Sequence, residues 1–126
     1  MSDPVLDSSA VLALLLNESG SAAVAAVLPG AWLSSVNLAE VVSKLGDRGM
    51  PAKDAREAVE ALGAQIADFD IEQACLAGEL RTATRAAGLS LGDRACLALA
   101  RIQGVAALTA DTAWATLSGF DVTLIR

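Results

Sequence analysis

Short apolar runs alternate with helical segments along the whole chain, and this alternation constrains the fold more than any other feature. Parallel strands need crossover connections, usually helices, so strictly alternating strands and helices are typical of a parallel sheet covered by helices. We therefore predict an α/β fold: one domain over residues 1–126, with a mainly parallel five-stranded sheet flanked by helices.

Local signals place the individual elements. Strands are predicted at residues 5–7, 31–34, 65–69, 106–109 and 122–125. Helices are predicted at residues 8–17, 35–48, 51–63, 70–88 and 90–103. A second short helix is predicted to follow the first and to end near residue 28, and another short one follows Asp111. Ser35 and Ser90 are predicted to start their helices, and Asp70 with Gln73 resembles a capping box.

The first helix is apolar on every side over residues 10–16. A helix that covers one face of a sheet needs only one apolar stripe. This pattern predicts either a deeply buried helix or a helix that also forms a dimer or partner interface.

The composition indicates what kind of core the chain forms and in which cellular compartment it is expected. Hydrophobic residues make up 54% of it and aromatics only 3%, which predicts a closely packed aliphatic core. Cys75 and Cys96 are isolated thiols rather than a disulfide framework. No apolar run is long enough to span a bilayer, and none resembles a signal peptide. We therefore expect a soluble cytoplasmic protein that does not bind membranes.

The chain contains no histidine, which excludes Ser-His-Asp and Cys-His catalysis and His-ligated zinc sites. An enzyme of this composition would use carboxylates, hydroxyls, Lys or Arg, with or without a hard cation. The net charge of −6 disfavours nonspecific tracking along nucleic acid. It does not disfavour a local cut, because a bound cation would reverse the field at an acidic site.

Four carboxylates are candidates for such a site. Asp7 ends the first strand and Asp111 follows the fourth, so both fall at the carboxyl edge of a parallel sheet, where ligands bind. Each also has an ordinary structural explanation: Asp7 and Asp111 as N-caps, Asp93 in a capping box with Ser90, and Glu40 paired with a lysine four residues later.

The surrounding sequences make the four residues specific as a set. In order along the chain they lie in VLDSSAVLALL, SSVNLAEVVSKL, LSLGDRACLALA and LTADTAW. These segments closely resemble the PIN domain family, and within it the VapC-type toxins of bacterial toxin–antitoxin pairs. The resemblance covers essentially the whole chain.

The resemblance implies a metal-dependent endoribonuclease. Mg²⁺ or Mn²⁺ would be held by Asp7, Glu40, Asp93 and Asp111, which would be both metal ligands and catalytic residues, and oxygen-only ligands suit these ions. Thr109, and also Ser8, would support the site. Implied partners are an RNA substrate, commonly transfer or ribosomal RNA, a cognate antitoxin protein and a second copy of the chain in a homodimer. Hydrolysis would leave a 5′-phosphate and a 3′-hydroxyl.

The basic residues are few, and each fits a solvated helical face. Arg94, next to Asp93, is the preferred RNA contact among them. Dehalogenase-type phosphatase, receiver and Rossmann folds each require residues that this chain lacks at the expected positions. A catalytically inactive PIN-fold binding module remains as the alternative, and metal affinity would distinguish it from a nuclease.

Overall fold

The computed structural model of the chain describes residues 3–126, so the predicted domain is described except for its first two residues. The strands are β1 (Val5–Leu6), β2 (Trp32–Ser34), β3 (Gln65–Ala67), β4 (Ala107–Thr109) and β5 (Val122–Leu124). The helices are α1 (Ser8–Leu15), α2 (Ser21–Val27), α3 (Ser35–Asp47), α4 (Ala52–Glu60), α5 (Ile71–Thr84) and α6 (Leu91–Gln103). Two turns of 3₁₀ helix, at Arg85–Ala87 and Thr112–Thr116, lie after α5 and after β4, respectively.

The five strands form one fully parallel sheet in the order β3-β2-β1-β4-β5, which confirms the predicted fold class. β1 is central: Val5 is in register with Trp32 of β2 and with Ala107 of β4. Since all strands run the same way, the chain segments that follow β1, β2 and β4 meet at one edge of the sheet.

Both faces of the sheet are covered. Leu6 and Leu33 belong to a buried apolar cluster with α1, α3 and α4. Val5 belongs to a second cluster with α5, α6 and the fully buried Trp114. Val5 and Leu6 are neighbours in one strand, so their membership of different clusters follows from the alternation of side chains across a sheet.

The start of α3 differs from the prediction by one residue. Ser34, not Ser35, is the N-cap, because its Oγ accepts a hydrogen bond from the backbone N–H of Val36 at 3.2 Å. The Ser35 Oγ instead accepts from the N–H of Phe69 at 3.0 Å, just beyond β3. Of two adjacent serines, long-range contact decides which one is free to cap, and this is not a local sequence signal.

Two other helix predictions are refined. Asp70 caps α5 as expected, but the Gln73 side chain donates to the carbonyl of Asp68 and does not complete a capping box. The regular part of α5 ends at Thr84, and a 3₁₀ turn carries the chain to Gly88, whose φ of 68° suits glycine. The α6 capping box between Ser90 and Asp93 is complete.

The apolar first helix is buried within the chain. Ala10, Val11, Leu12 and Ala13 are at most 7% exposed, and residues 14–16 are half-buried. Burial inside the fold therefore explains most of its apolar surface. In residues 3–126, no helix combines the length and the apolar character needed to cross a bilayer.

Candidate active site

Asp7 lies at the centre of the site. It follows β1 directly, caps α1, and is only 3% exposed. Its Oδ2 accepts hydrogen bonds from Ser9 Oγ at 2.6 Å and from Thr109 Oγ1 at 2.9 Å. Its Oδ1 is buried and has no hydrogen-bond partner in the described part of the chain. One carboxylate oxygen is thus held in place, while the other is left without a protein donor.

The hydroxyls around Asp7 form a small network. Besides donating to Asp7, Ser9 Oγ accepts from the N–H of Ala110 at 2.9 Å, and Thr109 Oγ1 accepts from the N–H of Asp111 at 3.1 Å. Thr109 therefore contacts Asp7 as expected from the sequence. The serine hydroxyl that is hydrogen-bonded to Asp7 is that of Ser9, one residue after the predicted Ser8. An N-cap carboxylate faces the second and third helical residues, and Ser9 is the second.

Glu40 lies on α3, where Asn37 holds it. Asn37 is fully buried, and its Nδ2 donates both to Glu40 Oε1 at 2.9 Å and to the carbonyl of Gly92 at 3.0 Å. Asn37 thereby connects α3 to the start of α6. The ion pair proposed from sequence between Glu40 and Lys44 is absent from residues 3–126. Asn37 is not among the residues predicted from the sequence, although its spacing of three residues from Glu40 was a usable signal.

The other two candidate carboxylates, Asp93 and Asp111, each lie at the start of a helix or helical turn. Asp93 is half-buried in the first turn of α6, and its Oδ2 accepts from the N–H of Ser90 at 2.9 Å. Asp111 is exposed, and its Oδ1 accepts from the N–H of Ala113 at 2.9 Å. Asp111 is therefore an N-cap and Asp93 the third helical residue of a capping box, and both are also candidate ligands.

The pKa shifts show that these carboxylates affect one another. The pKa of Asp7 is raised from 3.8 to about 6, mainly by burial; the charges of Asp93 and Glu40 contribute to the rise, and the Ser9 and Thr109 hydroxyls oppose it. Burial likewise raises the pKa of Asp93, with contributions from the charges of Glu40 and Asp111.

Asp7, Glu40 and Asp93 thus lie near enough for their charges to interact, and the charge of Asp111 acts on Asp93. Even so, no three side chains of the metal-ligating types in residues 3–126 stand close enough to form a ready-made metal site.

Gly92 has no room for a side chain. A Cβ at this position would overlap the Glu40 carboxylate. We predict that Gly92→Ala displaces the Glu40 carboxylate but changes the free energy of unfolding by less than about 1 kcal/mol, because the overlapped atoms are the end of a flexible side chain that can move away. An assay of the activity proposed below should show a decrease of roughly tenfold, because Glu40 is then out of place, and chemical denaturation would verify that stability is retained.

Gly78, in α5, provides the matched control. A Cβ there would meet nothing within 4 Å. Gly78→Ala should therefore stabilise the helix by up to about 1 kcal/mol and leave activity unchanged. If Gly92→Ala kept the full activity that Gly78→Ala keeps, the close packing of the Glu40 carboxylate on α6 would be contradicted.

The chain matches one known protein family over most of its length. The model of the PIN domain matches residues 5–119, nearly the whole chain. The chain belongs to the PIN domain family. The motif resemblance noted in the sequence is therefore confirmed at the level of the family. No curated protein sequence matches the chain significantly.

Solved structures share the PIN fold with this chain at low sequence identity. A chain of a toxin–antitoxin complex from Klebsiella pneumoniae is 19% identical, with a TM-score of 0.76 and 98% of each chain covered. A chain of DNA-bound VapBC from Salmonella typhimurium is 16% identical, with a TM-score of 0.75 and 100% of each covered. A chain of VapBC-5 from Mycobacterium tuberculosis is 22% identical, with a TM-score of 0.57 and 98% and 97% covered, respectively. At these identities the likeness shows the fold alone.

Proposed function

We propose that this PIN domain is a Mg²⁺- or Mn²⁺-dependent endoribonuclease that acts as the toxin of a toxin–antitoxin pair. The observation that carries the proposal is the state of Asp7: a buried carboxylate with one unpartnered oxygen, whose pKa is raised in part by the charges of Asp93 and Glu40. Burying one acid beside other acids is costly unless something compensates its charge. A catalytic cation would provide that compensation.

The residues present fit a hard divalent cation. Asp7, Glu40, Asp93 and Asp111 would hold it, and they offer only oxygen ligands, which suit Mg²⁺ and Mn²⁺. Asp7 Oδ1 has no competing donor in the described residues. When bound, such an ion activates water and stabilises the charge that develops on the scissile phosphate.

The chain's own residues orient these ligands. Ser9 and Thr109 fix Asp7 through Oδ2, which leaves the other oxygen for ligation. Asn37 fixes Glu40 from within the helix, and Ser90 fixes Asp93. Ligands that are hydrogen-bonded in this way lose less conformational freedom on binding an ion, and mutation of such supporting residues typically costs 10–100-fold in affinity or activity.

The biological role is proposed from the motif resemblance and from the neighbouring folds. The Klebsiella chain comes from a toxin–antitoxin complex, and the Salmonella and Mycobacterium chains come from VapBC assemblies. We propose by analogy that a cognate antitoxin controls this chain, that it forms a homodimer, and that its substrate is transfer or ribosomal RNA cut to a 5′-phosphate and a 3′-hydroxyl.

Metal binding and RNA cleavage test the proposal together. Mn²⁺ should raise the free energy of unfolding, by about 2.7 kcal/mol at a hundred times its Kd, and should support cleavage of single-stranded RNA that EDTA abolishes. The double variant Glu40→Gln/Asp93→Asn should lose both effects. Thermal unfolding with and without Mn²⁺, and end-labelled RNA digests, provide the measurements.

Glu60→Gln/Asp121→Asn is a control with the same charge change at two exposed positions. It should behave like the wild type. If Mn²⁺ stabilised neither the wild type nor the control, the metal site would be refuted, and the inactive binding module would become the better interpretation. Stabilisation without cleavage of any RNA would refute only the nuclease activity.

A further inference from the structure

A cavity lined by three arginines lies beside the acidic site. It has a volume of about 350 Å³ and lies between the end of α5 and the start of α6. Its walls are formed by Arg81, Arg85, Gly88, Leu89, Ser90 and Arg94. The chain has only nine basic residues and a net charge of −6, so three arginines around one small cavity are a marked local concentration of positive charge.

Arg94 is the most informative of the three. It is only 9% exposed, its Nη1 donates to the carbonyl of Ala77 at 2.8 Å, and its Nε is buried without a partner in the described residues. A guanidinium cannot lose its charge at any physiological pH, and burying it without an anion is costly. The two ion pairs present in residues 3–126 involve none of the cavity arginines. Because Arg94 also lines the cavity, an anion bound there would balance the charge of its guanidinium.

The backbone beside the cavity adds to its positive electrostatic potential. Ser90 is both part of the cavity wall and the N-cap of α6, a helix of 13 residues. A helix N-terminus carries a partial positive charge and favours anions. Arginine's planar fork of donors matches the oxygens of a phosphate, so the cavity combines the features of a phosphate site.

The cavity also adjoins the proposed metal ligands. Ser90, in its wall, is hydrogen-bonded to Asp93 in both directions of the capping box. We propose that the cavity binds a phosphate of the RNA strand adjacent to the phosphodiester that is cleaved. This inference rests on the proposed nuclease function. It also answers a difficulty of that function, because four carboxylates repel a polyanion unless positive charge beside them holds it.

The test begins with inorganic phosphate on the metal-free protein, which does not depend on nuclease activity. Phosphate should raise the Tm of the wild type and of Arg56→Gln, a control at an exposed arginine on α4. It should fail to raise the Tm of Arg81→Gln/Arg85→Gln, whose two exposed side chains are not required for packing. Equal stabilisation of all three proteins, or stabilisation of none, would overturn the phosphate site whatever happens with RNA.

RNA cleavage in Mn²⁺ then tests which phosphate the cavity binds. For Arg81→Gln/Arg85→Gln we expect KM for a short single-stranded RNA to rise about tenfold, kcat to change little, and the salt dependence of KM to weaken, while Arg56→Gln stays like the wild type. An unchanged KM would overturn the assignment to RNA. If affinity for the antitoxin fell instead, the cavity would belong to an acidic segment of that partner.

Discussion

Asp7→Asn is expected to lower Mn²⁺-dependent RNA cleavage by at least roughly 100-fold, which exceeds the usual effect of losing a residue that only orients a ligand. The substitution keeps the size of the side chain and an oxygen that can accept from Ser9 and Thr109. It removes the negative charge and replaces the unpartnered Oδ1 with an amide group that cannot bind a cation. Initial rates on single-stranded RNA would measure the loss, with Asp121→Asn as the exposed control.

The same variant should be more stable than the wild type at neutral pH when metal is absent. The pKa of Asp7 is about 6 in the folded chain against an ordinary value of 3.8, a difference that corresponds to about 3 kcal/mol. Because the folded pKa is raised, the contribution of Asp7 to the free energy of unfolding is fully present below about pH 4 and is lost as the pH rises through 6. Burial of an unpartnered amide group in the variant offsets about 1–3 kcal/mol of the gain.

The pH dependence separates this explanation from simple capping. The stability advantage of Asp7→Asn should grow between pH 4 and pH 6 and then level off, as measured by urea denaturation with EDTA present. If Asp7 were only a helix cap, the variant would be less stable than the wild type by a similar amount at every pH in this range. Such a result would remove the electrostatic argument for the site.

The fold was predictable because its signals are local. Alternating apolar runs and helix caps define the order of elements, and the Ser90–Asp93 capping box appears as the spacing predicts. The errors occur where a distant segment decides between neighbouring residues. Ser35 is hydrogen-bonded to the backbone of Phe69, just beyond β3, so Ser34 caps α3. No pattern within the helix contains that information.

The site carboxylates illustrate why two explanations of one residue need not compete. Asp7, Asp93 and Asp111 each accept a backbone N–H at the start of a helix or helical turn, as the structural explanation required. In a parallel sheet, however, helices begin at the same edge where ligands bind. A capping residue at that edge is therefore also positioned for a site. Periodicity alone could not make this connection, and the family motifs did.

The arginine cavity could not be predicted for a different reason. Arg81 and Arg85 each fit an exposed helical face, and both are exposed in the structure. Arg94 is instead almost completely buried, and only the packing of α6 against α5 brings the three together. Sequence favoured Arg94 for its place next to Asp93, whereas its burial and unpartnered Nε distinguish it structurally.

Asn37→Ala is the second substitution for which we expect a large effect. It removes an amide that donates to both Glu40 Oε1 and the Gly92 carbonyl, so α3 loses this link to α6. The free energy of unfolding should fall by about 1–3 kcal/mol. Because Glu40 is then free to turn away from Asp7, both Mn²⁺ affinity and RNA cleavage should decrease by roughly 10–100-fold.

Thr84→Ala separates positioning from stability in this experiment. Thr84 is also almost fully buried, and its hydroxyl donates to the carbonyl of Leu80 at 2.9 Å within α5, away from the carboxylates. The Thr84→Ala variant should lose about 1 kcal/mol of stability but keep the Mn²⁺ affinity and cleavage rate of the wild type. The measurements are made under conditions in which Thr84→Ala and Asn37→Ala are both fully folded. If Asn37→Ala kept the Mn²⁺ affinity of the wild type under those conditions, Asn37 would be a packing residue, and its link to Glu40 would have no role in ligand geometry.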